Sequence, residues 1–385
     1  MLKVQVLNNI SSLGLDKFSS DIYDVTVKDN NPDAILVRSA KMHELETGEN
    51  LKAIGRAGAG VNNIPLEKMS DKGVVVFNTP GANANAVKEL VISSMLLASR
   101  NICQGWRYVN DLPLENLKAT VEDGKKQYSG SELPGKTLGI VGLGAIGVEI
   151  ANAASILGMD VIGFDPSITK KNAWKISSEV EDATTIEELF SKSDFVSFHV
   201  PLIDETKNLL NAKRIALLPE GSVIINMSRD GIVDEDALMK ALDSGKVKYY
   251  VTDFPINDKK NHERVIALPH LGASTSEAED NCAVMIAKQI KEYLENGNII
   301  NSVNFPDAKM PRAGKERLAI THRNVPNMVR QITKAIAEEE ANIVDMLNKS
   351  KGEFAYTLID IEEKISNSVI ENIKKVEGIL KVRAL

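Results

Sequence analysis

This chain predicts two doubly wound parallel α/β units followed by a small ferredoxin-like α+β unit, and three observations lead there. Short apolar segments alternate with polar helical stretches through the first hundred residues. A second and sharper strand–helix series starts at Leu138. The last 70 or so residues then change to a β-α-β-β-α-β order. With 385 residues the chain exceeds one ordinary core, so two or three domains are expected. Its 43% apolar and 26% charged residues are ordinary for a globular protein and exclude a disordered or collagen-like chain.

Residues 4–7, 34–37, 53–56 and 74–77 read as strands, the first three closing on Asn, Ser or Gly turns. Their alternation with helices calls for a parallel sheet covered on both faces. A helical pattern over 86–100 and a polar stretch over 106–132 separate them from the second series, with strands at 138–141, 161–164, 195–200, 223–226, 249–252 and 265–268. Residues 277–296 are helical again, and the prolines and polar residues of 306–316 read as a linker. In the tail, strands are expected at 317–322, 343–348, 354–360 and 379–384, and helices at 327–340 and 366–375.

Lys and Arg total 46 against 53 Asp and Glu, a net charge of −7. Such a surface gives nucleic acid no general attraction, so any anion must be held by a few local cations. The most apolar stretch, 90–98, falls short of the roughly 18 residues a membrane span needs. The start of the chain alternates like a strand and lacks the pattern of a signal peptide. A cytosolic home, with neither membrane nor nucleic acid as partner, is therefore expected. Two cysteines, Cys103 and Cys282, supply neither a disulfide framework nor a four-thiolate zinc site, and no metal is expected.

The strand at 138–141 runs into Gly142-Leu-Gly144-Ala145-Ile146-Gly147 and then a helix. Gly142 permits the tight turn, Gly144 lets a pyrophosphate approach the backbone, and Gly147 allows close helix–strand packing. The helix N-terminus supplies N–H groups and a positive field to the phosphates. The next strand ends in Asp165, 23 positions beyond Gly142, near the spacing of a ribose-binding acid. A carboxylate there accepts ribose hydroxyls and repels a 2′-phosphate, so NAD is favoured over NADP.

Further segments carry a resemblance: 56–64 (RAGAGVNNI), 78–81 (NTPG), 199–201 (HVP), 225–234 (INMSRDGIVD) and 268–275 (LPHLGAST). In this order they resemble the D-isomer-specific 2-hydroxyacid dehydrogenases, in particular those acting on D-3-phosphoglycerate at the start of the phosphorylated serine pathway. The tail resembles an ACT domain. The resemblance implies a substrate-binding domain formed by 1–98 and 275–305, an inserted NAD domain over 99–274, and an ACT regulatory domain over 317–385.

Oxidising a 2-hydroxy acid with NAD needs a base, a cation for the carboxylate, and a group that orients the base. His270 follows the strand at 265–268, where a parallel sheet presents its catalytic edge, and its imidazole is suited to take the hydroxyl proton. Arg229 follows the strand at 223–226, and its guanidinium can grip a carboxylate with two parallel hydrogen bonds. Asp230 stands beside it where the family usually has glycine. The family's orienting glutamate has no glutamate counterpart here. Counting 29 positions beyond Arg229 selects Asp258, and aligning on Phe-Pro selects Asn257. The carboxylate of Asp258 is the expected choice.

By resemblance, His199, Pro201, Met227, Ser228, Asp253, Gly272 and Ala273 join the glycine loop and Asp165 around NAD. Arg38 and Arg56, each at a strand end, take the substrate's phosphate, and Gly58, Ala59 and Gly60 offer backbone N–H groups to its carboxylate. Closure of the two domains over the reactants would exclude water. In the tail, His322, Asn324 and Asn342 match positions that bind L-serine at a subunit interface in the family, which also implies a homo-oligomer, dimer or tetramer. Two other readings compete: a hydroxypyruvate or glyoxylate reductase, which needs no phosphate pocket, and an NAD-binding regulator without catalysis.

Overall fold

The computed structural model describes residues 1–254 and 262–385. Two parallel sheets form as the strand–helix alternation predicts. The first contains β1 (Leu2–Val6), β2 (Tyr23–Thr26), β3 (Ala34–Val37), β4 (Ala53–Arg56) and β5 (Val75–Phe77), in the order β2-β1-β3-β4-β5. The second contains β6 (Thr137–Val141), β7 (Asp160–Phe164), β8 (Glu181–Asp182), β9 (Phe195–Phe198), β10 (Ser222–Asn226), β11 (Val247–Thr252) and β12 (Val265–Ala267), in the order β12-β11-β10-β9-β6-β7-β8. Its central strands are buried throughout, as helices on both faces require. The third sheet is antiparallel, β14-β15-β13-β16, from β13 (Glu316–Arg323), β14 (Ile343–Lys351), β15 (Phe354–Ile361) and β16 (Ile379–Ala384). Two strands went unread: β2, half exposed, and β8, only two residues long.

The chain divides into two compact units, 1–82 with 279–385, and 83–278. The first boundary lies well before the expected 98/99, and the reason is packing. The helix Ala84–Ser99 presents Val87, Val91, Met95 and Ala98 to Leu138, Ile140, Val148 and Ile225, so it joins the second sheet's core.

The expected linker at 306–316 is a correction. Phe305, Ala308 and Met310 are buried in one cluster with Val4, Leu36, Phe77 and Tyr293 of the first sheet's core and with Ala319, Tyr356 and Leu358 of the third sheet. The tail sheet thus has two packed faces. One carries the helices Met328–Ala337 and Asn367–Lys374 over Leu318, Ile320, Ile359 and Val382. The other shares the core of the first unit.

The polar contacts explain why the tail cannot detach cheaply. A helix leaves its last carbonyls without intrahelical donors. At the end of the helix Ser276–Asn296, Arg383 donates to Tyr293 O and Leu294 O, Arg317 to Asn296 O, and the Tyr356 hydroxyl to Gly297 O. Arg317 is fully buried, and all five of its N–H donors are used. Nε and Nη2 bind the two oxygens of Asp360 at 2.6 and 2.7 Å, and the remaining donors go to Asn296, Met310 and Pro311 carbonyls. Burial pushes the Asp360 carboxyl up, but Arg317 and the amides of Ala313 and Gly314 hold it below its usual range. Among the described residues, no helix is long and apolar enough to cross a membrane.

Replacing Arg317 with Met strands the Asp360 carboxylate in the core. Chemical denaturation should register a loss of about 3–5 kcal/mol, with only part of it recovered in the Arg317→Met/Asp360→Leu pair, because the carbonyls of Asn296, Met310 and Pro311 still lose their donors. A loss below about 1 kcal/mol for the single variant would contradict this account.

Candidate functional site

In a parallel sheet all strands point their carboxyl ends to one edge, and a ligand crevice opens where the chain reverses its direction of travel across the sheet. Here that point lies between β6 and β9, because the chain runs from β6 outward to β7 and β8 before returning to β9. The loops after β6, β7, β9, β10, β11 and β12 therefore share one edge.

After β6, Gly142 has a φ of 97°, and a Cβ there would lie 2.6 Å from the carbonyl oxygen of His199. At Gly147 a Cβ would meet Gly142 O at 2.0 Å. At Gly144, the N-cap of the helix Ala145–Ile156, a Cβ would meet nothing within 4 Å. Two glycines are thus required by the protein's own backbone, while the third faces space a ligand can enter. Ala145 is exposed at the helix start, and Ile146 turns partly into the core. Asp165 accepts the amides of Leu143 and Ser167, one on each oxygen, both at 2.9 Å. Those bonds fix it beside the glycine loop and leave lone pairs for ribose hydroxyls.

After β9, burial pushes the His199 imidazole down to about 3, and its Nε2 sits 2.8 Å from the Ser197 hydroxyl. Pro201, two residues on, is exposed. After β10, Asn226 shapes the loop. Its Oδ1 accepts from the Ser228 amide and hydroxyl, and its Nδ2 donates to Arg229 O at 2.8 Å. Met227 is buried, while Arg229 projects to the surface and spends one N–H on Ser228 O. Asp230 is exposed. The Thr252 hydroxyl donates to Asn226 O and accepts the Phe254 amide, joining the β10 and β11 loops. Sequence reading missed Asn226 and Thr252 as organisers, because a buried Asn and Thr at strand ends carry no motif.

Asp253 is the centre of the site. It is 1% exposed; Oδ2 accepts the Gly272 amide at 2.9 Å, and Oδ1 is buried with no hydrogen-bond partner among the described residues. Its backbone carbonyl accepts the His270 amide at 3.0 Å. Burial pushes the Asp253 carboxyl up, opposed by the Gly272 amide and by the charges of His270 and Arg229. The charges of both side chains thus reach one buried carboxylate. His270 adopts a φ of 27°, sparsely populated for any residue but glycine, and its ring packs against Phe254 at 4.7 Å between centroids. A Cβ at Gly272 would stand 3.2 Å from Asp253 Oδ2, and Ala273 beside it is half-buried. Asp258 and its alternative Asn257 lie outside the described residues.

These features fit NAD. The glycine loop offers open backbone at Gly144, Asp165 is placed for ribose, and the orphaned Asp253 Oδ1 is a buried acceptor suited to a carboxamide N–H.

The first unit carries the second set. Arg38 and Arg56 sit at the carboxyl ends of adjacent strands β3 and β4, where Val37 pairs with Arg56. Arg56 Nε donates to Arg38 O at 3.1 Å. The 58–60 loop is pinned by Asn78 donating to Ala59 O and by the Thr79 amide donating to Gly58 O.

The tail residues do not meet within one chain. His322 is buried, with Nδ1 on Arg323 O and Nε2 on the Thr357 hydroxyl, both at 2.8 Å, which marks it as a structural histidine. Asn324 donates to Gly352 O, and Asn342 to Glu362. Since His322 pairs with Ala355 while Asn342 faces Glu362, they stand seven positions apart along the sheet, about 23 Å at strand rise.

Comparison with known proteins adds a second line. Residues 92–272 match the family described as D-isomer specific 2-hydroxyacid dehydrogenase, NAD binding domain. The chain is 34% identical to the D-3-phosphoglycerate dehydrogenase of Haemophilus influenzae, covering 89% of this chain and 83% of that protein. It is 35% identical to that of Methanocaldococcus jannaschii over 87% of this chain, but spans only 62% of that protein's length. Among solved structures, NAD+-bound 3-phosphoglycerate dehydrogenase of Entamoeba histolytica is 30% identical with a TM-score of 0.62, covering 79% of this chain and 98% of that one.

The depressed His199 imidazole should stay neutral on acidification. Its ring NMR resonances are expected to hold still from pH 8 to about pH 5, and a transition near 6.5 would contradict its burial. Gly147→Ala should abolish NAD binding in a fluorescence titration, since no rotamer relieves a contact between Cβ and backbone; retained affinity would remove the glycine loop from the site.

Proposed function

We propose a reaction from the premise that this chain belongs to the D-3-phosphoglycerate dehydrogenase branch of the D-isomer specific 2-hydroxyacid dehydrogenases: oxidation of D-3-phosphoglycerate to 3-phosphohydroxypyruvate, opening the phosphorylated route to L-serine. The observation that carries the reading is the buried Asp253, which ties down the Gly272 and His270 amides at the strand-end edge that also holds the glycine loop and Arg229.

Bound NAD supplies the hydride acceptor for the C2 hydrogen. The glycine loop, Asp165, the backbone about Met227 and Ser228, and Asp253 Oδ1 would hold it. Arg229 has donors to spare beyond its one bond to Ser228 O, enough for a bidentate grip on the C1 carboxylate. His270 takes the hydroxyl proton; its strained backbone and its packing on Phe254 fix where the ring points. Asp258 is the expected partner that steadies the imidazolium. Arg38 and Arg56 take the phosphate, and the backbone of 58–60 assists at the carboxylate.

A homo-oligomer fits one surface feature. The helix Ile102–Asp111 buries no residue, and Ile102, Trp106 and Val109 lie exposed at helical spacing, Trp106 by 69%. A second copy would cover that face. L-Serine, as effector, would likewise need two copies, held between Asn324 of one chain and Asn342 of another, with His322 stiffening the strand end.

His270→Ala should lower kcat by about a hundredfold or more while leaving NAD affinity within a few-fold of the parent. A variant with undiminished turnover would take the role of base away from His270. D-3-phosphoglycerate should exceed D-glycerate in kcat/KM by more than about tenfold, and equal values would favour a reductase without a phosphate pocket.

A further inference from the structure

Two guanidinium groups on neighbouring strand ends repel one another unless something offsets them, and among the described residues Glu279 is such a group. Arg56 is held by backbone. Its Nε binds Arg38 O, and the missing side chain of Gly58 leaves it room, since a Cβ there would stand 2.3 Å from Nη1. Arg38 is held by charge, with Nη1 2.7 Å from Oε1 of Glu279 in the first turn of the helix Ser276–Asn296. Both partners reach solvent, Arg38 with 30% and Glu279 with 49% of the side chain exposed. One turn further along that helix, the buried Cys282 thiol feels all three charges: burial raises it most, Arg38 and Arg56 lower it, and Glu279 raises it. Glu279 therefore lies on the same helix turn that faces the two strand ends, and its carboxylate is bonded to Arg38.

As a first-turn acid, Glu279 also suits the helix dipole, which any of Glu277, Glu279 and Asp280 would satisfy. The dipole does not account for its ion pair with Arg38. We propose that Glu279 is a tuning residue of the anionic-tail site: it competes with the substrate's phosphate for Arg38 and weakens the hold on phosphorylated substrate and product alike. This rests on the reading of Arg38 and Arg56 as the phosphate-binding pair. An exposed ion pair is weak, so a dianion with three acceptor oxygens displaces one carboxylate from the guanidinium. The displaced carboxylate stays close and repels the dianion, and the repulsion grows with the charge on the tail. A neutral tail leaves the Arg38–Glu279 pair intact and is indifferent to it. Because the weakening acts equally before and after hydride transfer, it alters binding rather than the chemical step.

The test compares substrates on the full-length enzyme. In Glu279→Gln the KM for D-3-phosphoglycerate should fall about five- to tenfold with kcat unchanged or lower, while the KM for D-glycerate stays constant. Inorganic phosphate should become a correspondingly tighter competitive inhibitor. Glu279→Ala should repeat the effect, so that loss of one side-chain shape does not decide the outcome. An unchanged or raised KM for the phosphorylated substrate in both variants overturns the proposal, as does an equal shift for both substrates. Arg38→Gln separates the two levels. If it raises KM for D-3-phosphoglycerate alone, the phosphate pair stands whatever Glu279 does. If it changes neither substrate's KM, the phosphate reading itself fails.

Discussion

A carboxylate is costly to bury, and the second unit buries one where its sheet must stay open to a ligand. Asp253 recovers only part of that cost inside the chain, through the Gly272 amide on Oδ2 and the nearby charges of His270 and Arg229. The other oxygen has no hydrogen-bond partner among the described residues. The rest of the site depends on this arrangement. The carbonyl of the same residue ties down the His270 amide, so Asp253 fixes both ends of the short turn that carries the base. His270 keeps an unfavourable backbone conformation because the turn permits no other. In the proposed reaction that oxygen would be the buried acceptor for the cofactor.

The tail enters this picture as structure. Its sheet contributes side chains to the first unit's core, and Arg317, Arg383 and Tyr356 satisfy the last carbonyls of the helix Ser276–Asn296. That helix also carries Glu279 and Cys282 near its other end. A module joined by a loose linker could move without disturbing the body of the enzyme. One whose arginines complete a helix cannot.

Much of this was legible in the sequence, for reasons of local chemistry. Gly142 and Gly147 are dictated by close backbone approach, and that constraint survives in any context. His270 and Arg229 could be placed because a parallel sheet puts all its strand ends on one edge. Other features depend on partners distant in sequence. The periodicity of residues 84–99 marks an amphipathic helix but not the sheet it covers, which misplaced the domain boundary. Residues 306–316 look like a linker because prolines break periodicity, yet Ala308 and Met310 are buried. Arg317 reads as the edge of a strand, and only the fold brings Asp360 to it. His322, Asn324 and Asn342 are grouped by resemblance alone, and the resemblance does not reveal that the antiparallel sheet puts Asn342 at the opposite end from the other two. Glu279 was invisible because an acid in a helix's first turn needs no special explanation.

The role of Asp253 can be isolated by replacing its charge while keeping its shape. In Asp253→Asn the amide oxygen can still accept the Gly272 N–H, which turns the NH2 group toward the position of the free oxygen, where it can no longer accept from a carboxamide. Relief of a buried charge should leave the melting temperature unchanged or higher. Calorimetric titration with NAD should nonetheless give a Kd raised by about tenfold or more. A variant that binds NAD as tightly as the parent would contradict the claim that this oxygen is held open for the cofactor.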